Sequence, residues 1–226
     1  MWEIKEIAIK VSLVKNKGMI KFLYHSSFLI DNSILIDPHD GGSIGLPRPE
    51  VKAELILISH NHYDHNAYEI IPHKEVKIKQ YGEFKFGSYS IEGIKSFHDK
   101  ENGKRRGENA IYKIIDKKGR SIVHLGDLGH LPNKETIENL KSPDVLMIPV
   151  GGVITINHNE AKEIIKMIDP KIVIPMHYWI KGHLMPLNPI NDFLNVIKEE
   201  RKIIEITEKE IDESTTEKNS IIVFKV

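Results

Sequence analysis

Six consecutive residues, His60-Asn61-His62-Tyr63-Asp64-His65, spell H-x-H-x-D-H and set four metal-binding side chains within the width of one loop. They follow the apolar run Leu55 to Ile58, which reads as a buried strand. Imidazoles two residues apart at a strand end leave on the same side, roughly 6.5–7 Å apart at Cα, and can converge on one cation. Asp64 and His65 come where the chain must turn, so they can serve a second cation, about 3.5–4 Å from the first in two-metal hydrolases. Single histidines and aspartates are ordinary loop residues. Four in six positions, at the carboxyl end of a strand where open α/β sites form, imply a dinuclear centre instead.

Such a centre needs more donors, and three polar residues follow runs that read as core strands. His98 follows Gly93 to Phe97, Asp127 follows Ile122 to Gly126, and His177 follows Ile172 to Met176. Any one of them alone more often caps a turn than binds a metal. Together with the loop they give a set in which His60, His62 and His98 complete one site and Asp64, His65 and His177 the other. Asp127 would bridge them, and a hydroxide between two ions would be the nucleophile. His124 could replace His98 as third ligand, although strand alternation puts it inside a core run. His130 reads as a loop residue. The leaving group's proton would come from Asp64, through its free oxygen, or from His183.

The elements that must carry these residues fall into two styles. The first third reads as short strands, Glu3 to Val14, Met19 to Tyr24, Ser27 to Ile30, Ser33 to Asp37 and Leu55 to Ser59, an antiparallel start punctuated at Asp31-Asn32 and Gly41-Gly42. A short helix from Asn66 to Ile71 precedes strands near Val76 to Lys79, Ser90 to Phe97, Ala110 to Ile115 and Ser121 to Leu125, with a hairpin turn over 117–120. Helices and strands then alternate: Lys134 to Leu140, Val145 to Pro149, Asn159 to Ile168, Ile172 to Met176, Ile190 to Arg201. That alternation implies βαβ crossovers. Ala161, Ile164, Ile165 and Ile168 recur at helical spacing and form a packing stripe.

The 226 residues suit a single domain over 1–226 with one well-buried core. Lys plus Arg and Asp plus Glu each total 32, so no global field recruits a polyanion, and nucleic-acid binding is disfavoured. The absence of cysteine leaves nitrogen and oxygen donors for any metal. No signal-peptide pattern and no bilayer-length apolar stretch stand out, so a cytoplasmic location without a membrane partner is expected. Self-association through apolar residues near Phe193 is left open. Zn suits the imidazole-rich set, and Mn, Fe and Ni accept it too.

The loop and the later histidine, aspartate and histidine, in this order, resemble the signature of the metallo-β-lactamase-fold hydrolases. Leu35-Ile36-Asp37-Pro38, His124-Leu125-Gly126-Asp127, Ile148-Pro149-Val150-Gly151-Gly152 and Pro175-Met176-His177-Tyr178 are similar to the small single-domain branch that includes ascorbate-phosphate lactonase. The resemblance covers Phe22 to Trp179. It implies an α/β, four-layer αββα sandwich of two mixed sheets, with Asp37 orienting a ligand imidazole. His25, in a Tyr-His-Ser-Ser stretch, would line the site without ligating. His at position 62 departs from the redox-active di-iron relatives, which carry an acidic residue there, and implies hydrolysis. The expected substrate is a small anionic ester, lactone or phosphoester, with Lys104-Arg105-Arg106 or the Gly151-Gly152 turn as anion contacts. A phosphodiesterase or nuclease and a non-catalytic metal-binding sensor are the alternatives.

Overall fold

A computed structural model describes residues 18–212 and 216–225. The expected strand Glu3 to Val14 lies outside the described residues. The chain enters as an antiparallel meander of β1 (Met19–Phe22), β2 (Phe28–Ile30) and β3 (Ile34–Ile36). The antiparallel start ends there, because β4 (Leu55–Ile58) pairs parallel with β3 after the intervening chain has crossed over, and β5 (Glu75–Ile78) pairs parallel with β4. Leu55 and Leu57 face one side of β4 while Ile56 and Ile58 face the other, which is why the run is continuously apolar: both faces are covered.

A second group follows: β6 (Gly82–Phe86), β7 (Tyr89–Phe97), β8 (Glu108–Ile115), β9 (Ser121–His124), α1 (Lys134–Leu140), β10 (Val145–Pro149), α2 (His158–Ile168), β11 (Ile172–Met176), α3 (Ile190–Ile197), β12 (Lys202–Ile206), β13 (Glu210–Asp212) and β14 (Ser220–Phe224). Two mixed sheets result, ordered β13-β1-β2-β3-β4-β5 and β12-β14-β11-β10-β9-β8-β7-β6. The βαβ expectation holds for β10-α2-β11, whose strands pair parallel in register from Val145↔Ile172 to Pro149↔Met176. One apolar layer, including Phe22, Phe28, Leu57, Tyr112, Met147 and Met176, fills the space between the sheets. A second binds the three α-helices to the outer face of the larger sheet. A third covers the smaller sheet with Leu23, Ala53 and Ile71.

Several local expectations change. The helix over Asn66 to Ile71 is a four-residue 3-10 turn, Ala67–Ile70, because Pro72 disfavours helical backbone at Ile71, which is extended. The last helix stops at Ile197, and the chain re-enters a sheet at Lys202. The edge strand β6 escapes the sequence reading although its Phe84 and Phe86 alternate with exposed Glu83 and Lys85 and pack on the core from the sheet edge. Phe193 does not face a partner: it is fully buried against the larger sheet with Ile197.

Within each sheet, the strands that lead to candidate ligands point the same way. β3 and β4 are parallel; β7 and β9 are each antiparallel to β8, and β9, β10 and β11 are parallel. The residues that follow their carboxyl ends meet at one edge of the sandwich. Tyr112 fastens the two sheets just behind that edge, its hydroxyl donating to the Ile58 carbonyl at 3.0 Å and accepting from the Gln80 N–H at 3.2 Å. Removing a buried hydroxyl that serves two partners costs about 1–3 kcal/mol. Tyr112→Phe is thus expected to lower the unfolding midpoint by several degrees in thermal unfolding, and an unchanged midpoint would contradict this role.

Candidate metal centre

The loop after β4 turns sharply, with the His65 N–H donating to the His62 carbonyl at 3.0 Å, and its four candidate ligands, His60, His62, Asp64 and His65, enter the clusters while Asn61 and Tyr63 stay exposed. Ligand atoms of His60, His62 and His98 lie within 4.8 Å of one another, as do those of His25, Asp64, His65 and His177. Between the two groups sits Asp127. Its Oδ2 lies 3.6 Å from His60 Nε2, 3.2 Å from His65 Nε2, 3.1 Å from His98 Nε2 and 3.0 Å from His177 Nε2. Each of the seven residues singled out in the sequence is therefore in this cluster.

The protein alone leaves this cluster unfinished. The four Nε2 atoms and both Asp127 oxygens are buried without a hydrogen-bond partner. Each such group left unsatisfied costs roughly 1–3 kcal/mol, and native folds seldom tolerate several together. An imidazole and carboxylate donor set is what a borderline divalent cation takes, so the residues present fit bound metal.

Asp37 and Ser59 fix the orientation of the rings. The Ser59 hydroxyl donates to Asp37 Oδ2 at 2.5 Å and lies 2.8 Å from His60 Nδ1, and the Ser59 N–H donates to Asp37 Oδ1 at 2.7 Å. His65 Nδ1 lies 3.1 Å from the same carboxylate. With both Nδ1 atoms held by these partners, the Nε2 atoms of His60 and His65 are turned toward the cluster. Asp37 thus acts on two rings, one directly and one through Ser59. Asn109 does the same for Asp127: its Oδ1 accepts the Asp127 N–H at 3.0 Å, while its Nδ2 donates to the Leu125 carbonyl at 2.9 Å. Gly126, at φ 57°, is needed here because a Cβ would stand 2.3 Å from Asn109 Oδ1 and 2.8 Å from Ser59 Cβ. Ser59 and Asn109 were missed in the sequence; a buried amide at the start of β8, just ahead of the apolar run from Ala110, was the available signal.

His25 and His177 both hold positive φ, 56° and 53°, and are tied together by the His177 N–H donating to the His25 carbonyl at 3.0 Å. Strained backbone of this kind persists where surrounding structure over-determines it. His25 Nε2 lies 3.0 Å from Asp64 Oδ2, closer to the centre than its sequence role as a lining residue implied. His183, expected near the mouth, is buried with its ring 5.1 Å from that of His25. His124 is committed elsewhere, Nε2 on the Ser26 carbonyl and Nδ1 accepting the Gly126 N–H, which leaves His98 in the cluster. His130 accepts the Phe97 N–H and serves the loop.

Burial and charge act on these groups in opposite directions. Burial pushes the His60 and His25 imidazoles down, keeping them neutral, and takes His183 down to about 4 with help from His177. Burial would raise the Asp64 and Asp127 carboxyls. The surrounding histidines, His65 for Asp64 and His177 and His65 for Asp127, outweigh it and hold both well below the usual carboxylate range. For His65, burial works downward but the Asp127 and Asp64 charges prevail and raise it. Two buried carboxylates thus demand positive charge at this spot.

A model of the β-lactamase superfamily domain matches residues 19–177. A UPF0173 metal-dependent hydrolase from Pelotomaculum thermopropionicum is 32% identical over 190 residues, covering 70% of this chain and 83% of that protein. One from Thermococcus onnurineus is 31% identical over 187 residues, covering 70% and 84%. A Thermotoga maritima protein assigned as a Zn-dependent hydrolase of the metallo-β-lactamase superfamily superposes with a TM-score of 0.71 at 27% identity, covering 91% of this chain and 98% of that one.

Outer partners of ligand imidazoles typically contribute 10–100-fold to metal affinity. Ser59→Ala is expected to weaken Zn binding by about 10-fold in chelator competition while the protein stays folded; unchanged affinity would show that Ser59 does not orient His60.

Proposed function

The chain belongs to the β-lactamase superfamily, in its UPF0173 metal-dependent hydrolase family, and on that premise we propose that it hydrolyses a small anionic ester, lactone or phosphoester at a dinuclear metal centre. The observation that carries this reading is the convergence of four imidazole Nε2 atoms on one buried carboxylate oxygen, Asp127 Oδ2, at 3.0–3.6 Å, with no hydrogen-bond partner for any of them. In the proposal His60, His62 and His98 hold one ion and Asp64, His65 and His177 the other, with Asp127 shared. Zn is the first choice, and Mn, Fe and Ni are compatible with the donor set. Two divalent cations, when bound, acidify a shared water to hydroxide near neutral pH and polarise the bond to be cleaved.

The chain's own residues do the rest. Asp64 lines a cavity of about 520 Å³ that opens beside His62 and His98, so one of its oxygens can meet substrate while the other is held by His25. Its position at the cavity, with one oxygen turned toward the space where substrate would sit, makes it the group best placed to take up a proton there and pass it to the leaving atom. His183 is neutral at pH 7, and its role in the proposal is a hydrogen bond from an uncharged ring, supporting the same transfer. Asp37, Ser59 and Asn109 keep the ligand atoms aimed, which preorganises the site. No helix among the described residues is long and apolar enough to cross a membrane. A cytoplasmic location is part of the same proposal.

Protein loaded in turn with Zn, Mn, Fe and Ni is expected to turn over at least one of a panel of aryl esters, lactones and aryl phosphodiesters, and to lose that activity with chelator. Asp64→Ala should lower kcat by roughly 10²–10⁴-fold, as loss of a proton-transfer group does, and His183→Gln by less. Turnover by no metal form with any substrate would contradict the hydrolase reading and favour a metal-binding sensor.

A further inference from the structure

The cavity in front of the centre has a chemical polarity of its own. Arg106 is its one Lys or Arg side chain among the described residues. The other flank is apolar: Tyr63, Ile154, Leu184, Met185 and Pro186. Leu184 is 70% exposed and Tyr63 59%, although both are large and border a concave site. Exposed apolar side chains gathered at a cavity, beside polar groups, are the usual mark of a ligand surface.

Both flanks are built rather than loose. Asp99 directly follows the candidate ligand His98, and its carboxylate accepts four backbone N–H groups of the next turn: Glu101 at 2.8 Å, Gly103 at 3.0 Å, Arg105 at 3.0 Å and Arg106 at 2.7 Å. The loop closes where the His98 N–H meets the Gly107 carbonyl at 3.0 Å, and Lys100 pairs with Glu160 of α2. Gly129 lets a neighbouring turn press on it, since a Cβ there would stand 2.3 Å from the Asp99 nitrogen. The Arg106 backbone is thus locked to His98, while no carboxylate pairs with its guanidinium among the described residues. Arg105, its neighbour, is instead 3.6 Å from Glu101. On the opposite flank the Leu184 N–H donates to the Ile44 carbonyl at 3.0 Å, and Trp179 Nε1 donates to the His183 carbonyl at 3.2 Å, which pins the segment carrying Leu184.

We propose that this cavity selects amphiphilic substrates, with an anionic group paired to Arg106 and an alkyl or aryl group laid against Tyr63, Ile154, Leu184, Met185 and Pro186. The inference rests on the hydrolase reading, for it names the substrate class of that same site. A planar guanidinium favours carboxylate or phosphate over a lone hydroxyl, because it offers paired donors in a fixed fork. An uncharged substrate of the same shape keeps the apolar contacts and loses the ionic one. A short anion without an apolar arm does the reverse. Discrimination therefore depends on both flanks.

The test is a binding measurement on Zn-loaded protein with two probes of one shape, 4-phenylbutyrate and 4-phenylbutyramide, followed by titration calorimetry. The wild-type chain is expected to bind the carboxylate more tightly. Arg106→Gln, which keeps the backbone N–H bound by Asp99, should weaken the carboxylate by about 5-fold, a magnitude set by the exposure of the guanidinium, and leave the amide within 2-fold. Leu184→Ser should weaken both probes by a similar factor. The same carboxylate-to-amide ratio in wild type and Arg106→Gln, or no binding of either probe, would overturn the proposal. The two readings fail separately: absent turnover with this binding pattern intact removes the hydrolysis and leaves the cavity's selectivity, whereas turnover with no dependence on Arg106 does the opposite.

Discussion

A carboxylate with no exposed surface, Asp127, is the constraint around which the described structure is arranged. Taking such a charge out of water costs several kcal/mol unless opposite charge and hydrogen bonds replace the lost solvation. Here the chain surrounds one oxygen with four ring nitrogens from three separate segments: the loop after β4, which gives two, and the ends of β7 and β11. None of these contacts is a satisfied hydrogen bond, so the protein by itself leaves the hydrogen-bonding capacity of the buried carboxylate unmet. Cations between the rings and the carboxylate would settle it, and folding and metal loading are then coupled.

That requirement reaches outward through the fold. For donors from β4, β7, β9 and β11 to meet, two sheets must present the carboxyl ends of those strands at one edge, and the mixed pairing pattern does so. The rings must also turn the correct nitrogen inward. Asp37 and Ser59 accomplish this for His60 and His65, and Asn109 places the Asp127 backbone. The helices of the larger sheet carry none of the candidate ligands. Their apolar stripe seals β10 and β11, and so keeps His177 fixed at φ 53° beneath the Gly151 turn.

The candidate ligands were legible because metal chemistry restricts residue type and spacing so tightly that His60 to His65 carries its meaning locally. His98, Asp127 and His177 were legible through the apolar runs ahead of them, since each of those runs is a strand. Parallel pairing was harder to read: nothing in Leu55–Ile58 says that β3 is its parallel neighbour, because that depends on chain that crosses between them. β14 was not read although Ser220–Phe224 has strand composition, and its place between β11 and β12, last in sequence, is again set by distant chain. Asn109 and Ser59 act through hydrogen bonds to residues distant in sequence, and no local pattern announces those. Phe193 misled because an apolar helix position reads alike whether it faces a sheet or a partner.

The family supplies the kind of chemistry, whereas the selectivity proposed for the cavity would rest on other residues, Arg106 and the apolar lining. All of it presupposes that the gathered donors hold two ions. Anomalous diffraction from crystals of the metal-loaded protein tests this most directly. The account predicts two peaks about 3.5–4 Å apart, one beside His60, His62 and His98 and one beside Asp64, His65 and His177, with Asp127 reaching both. A single peak, or peaks out of reach of Asp127, would contradict it.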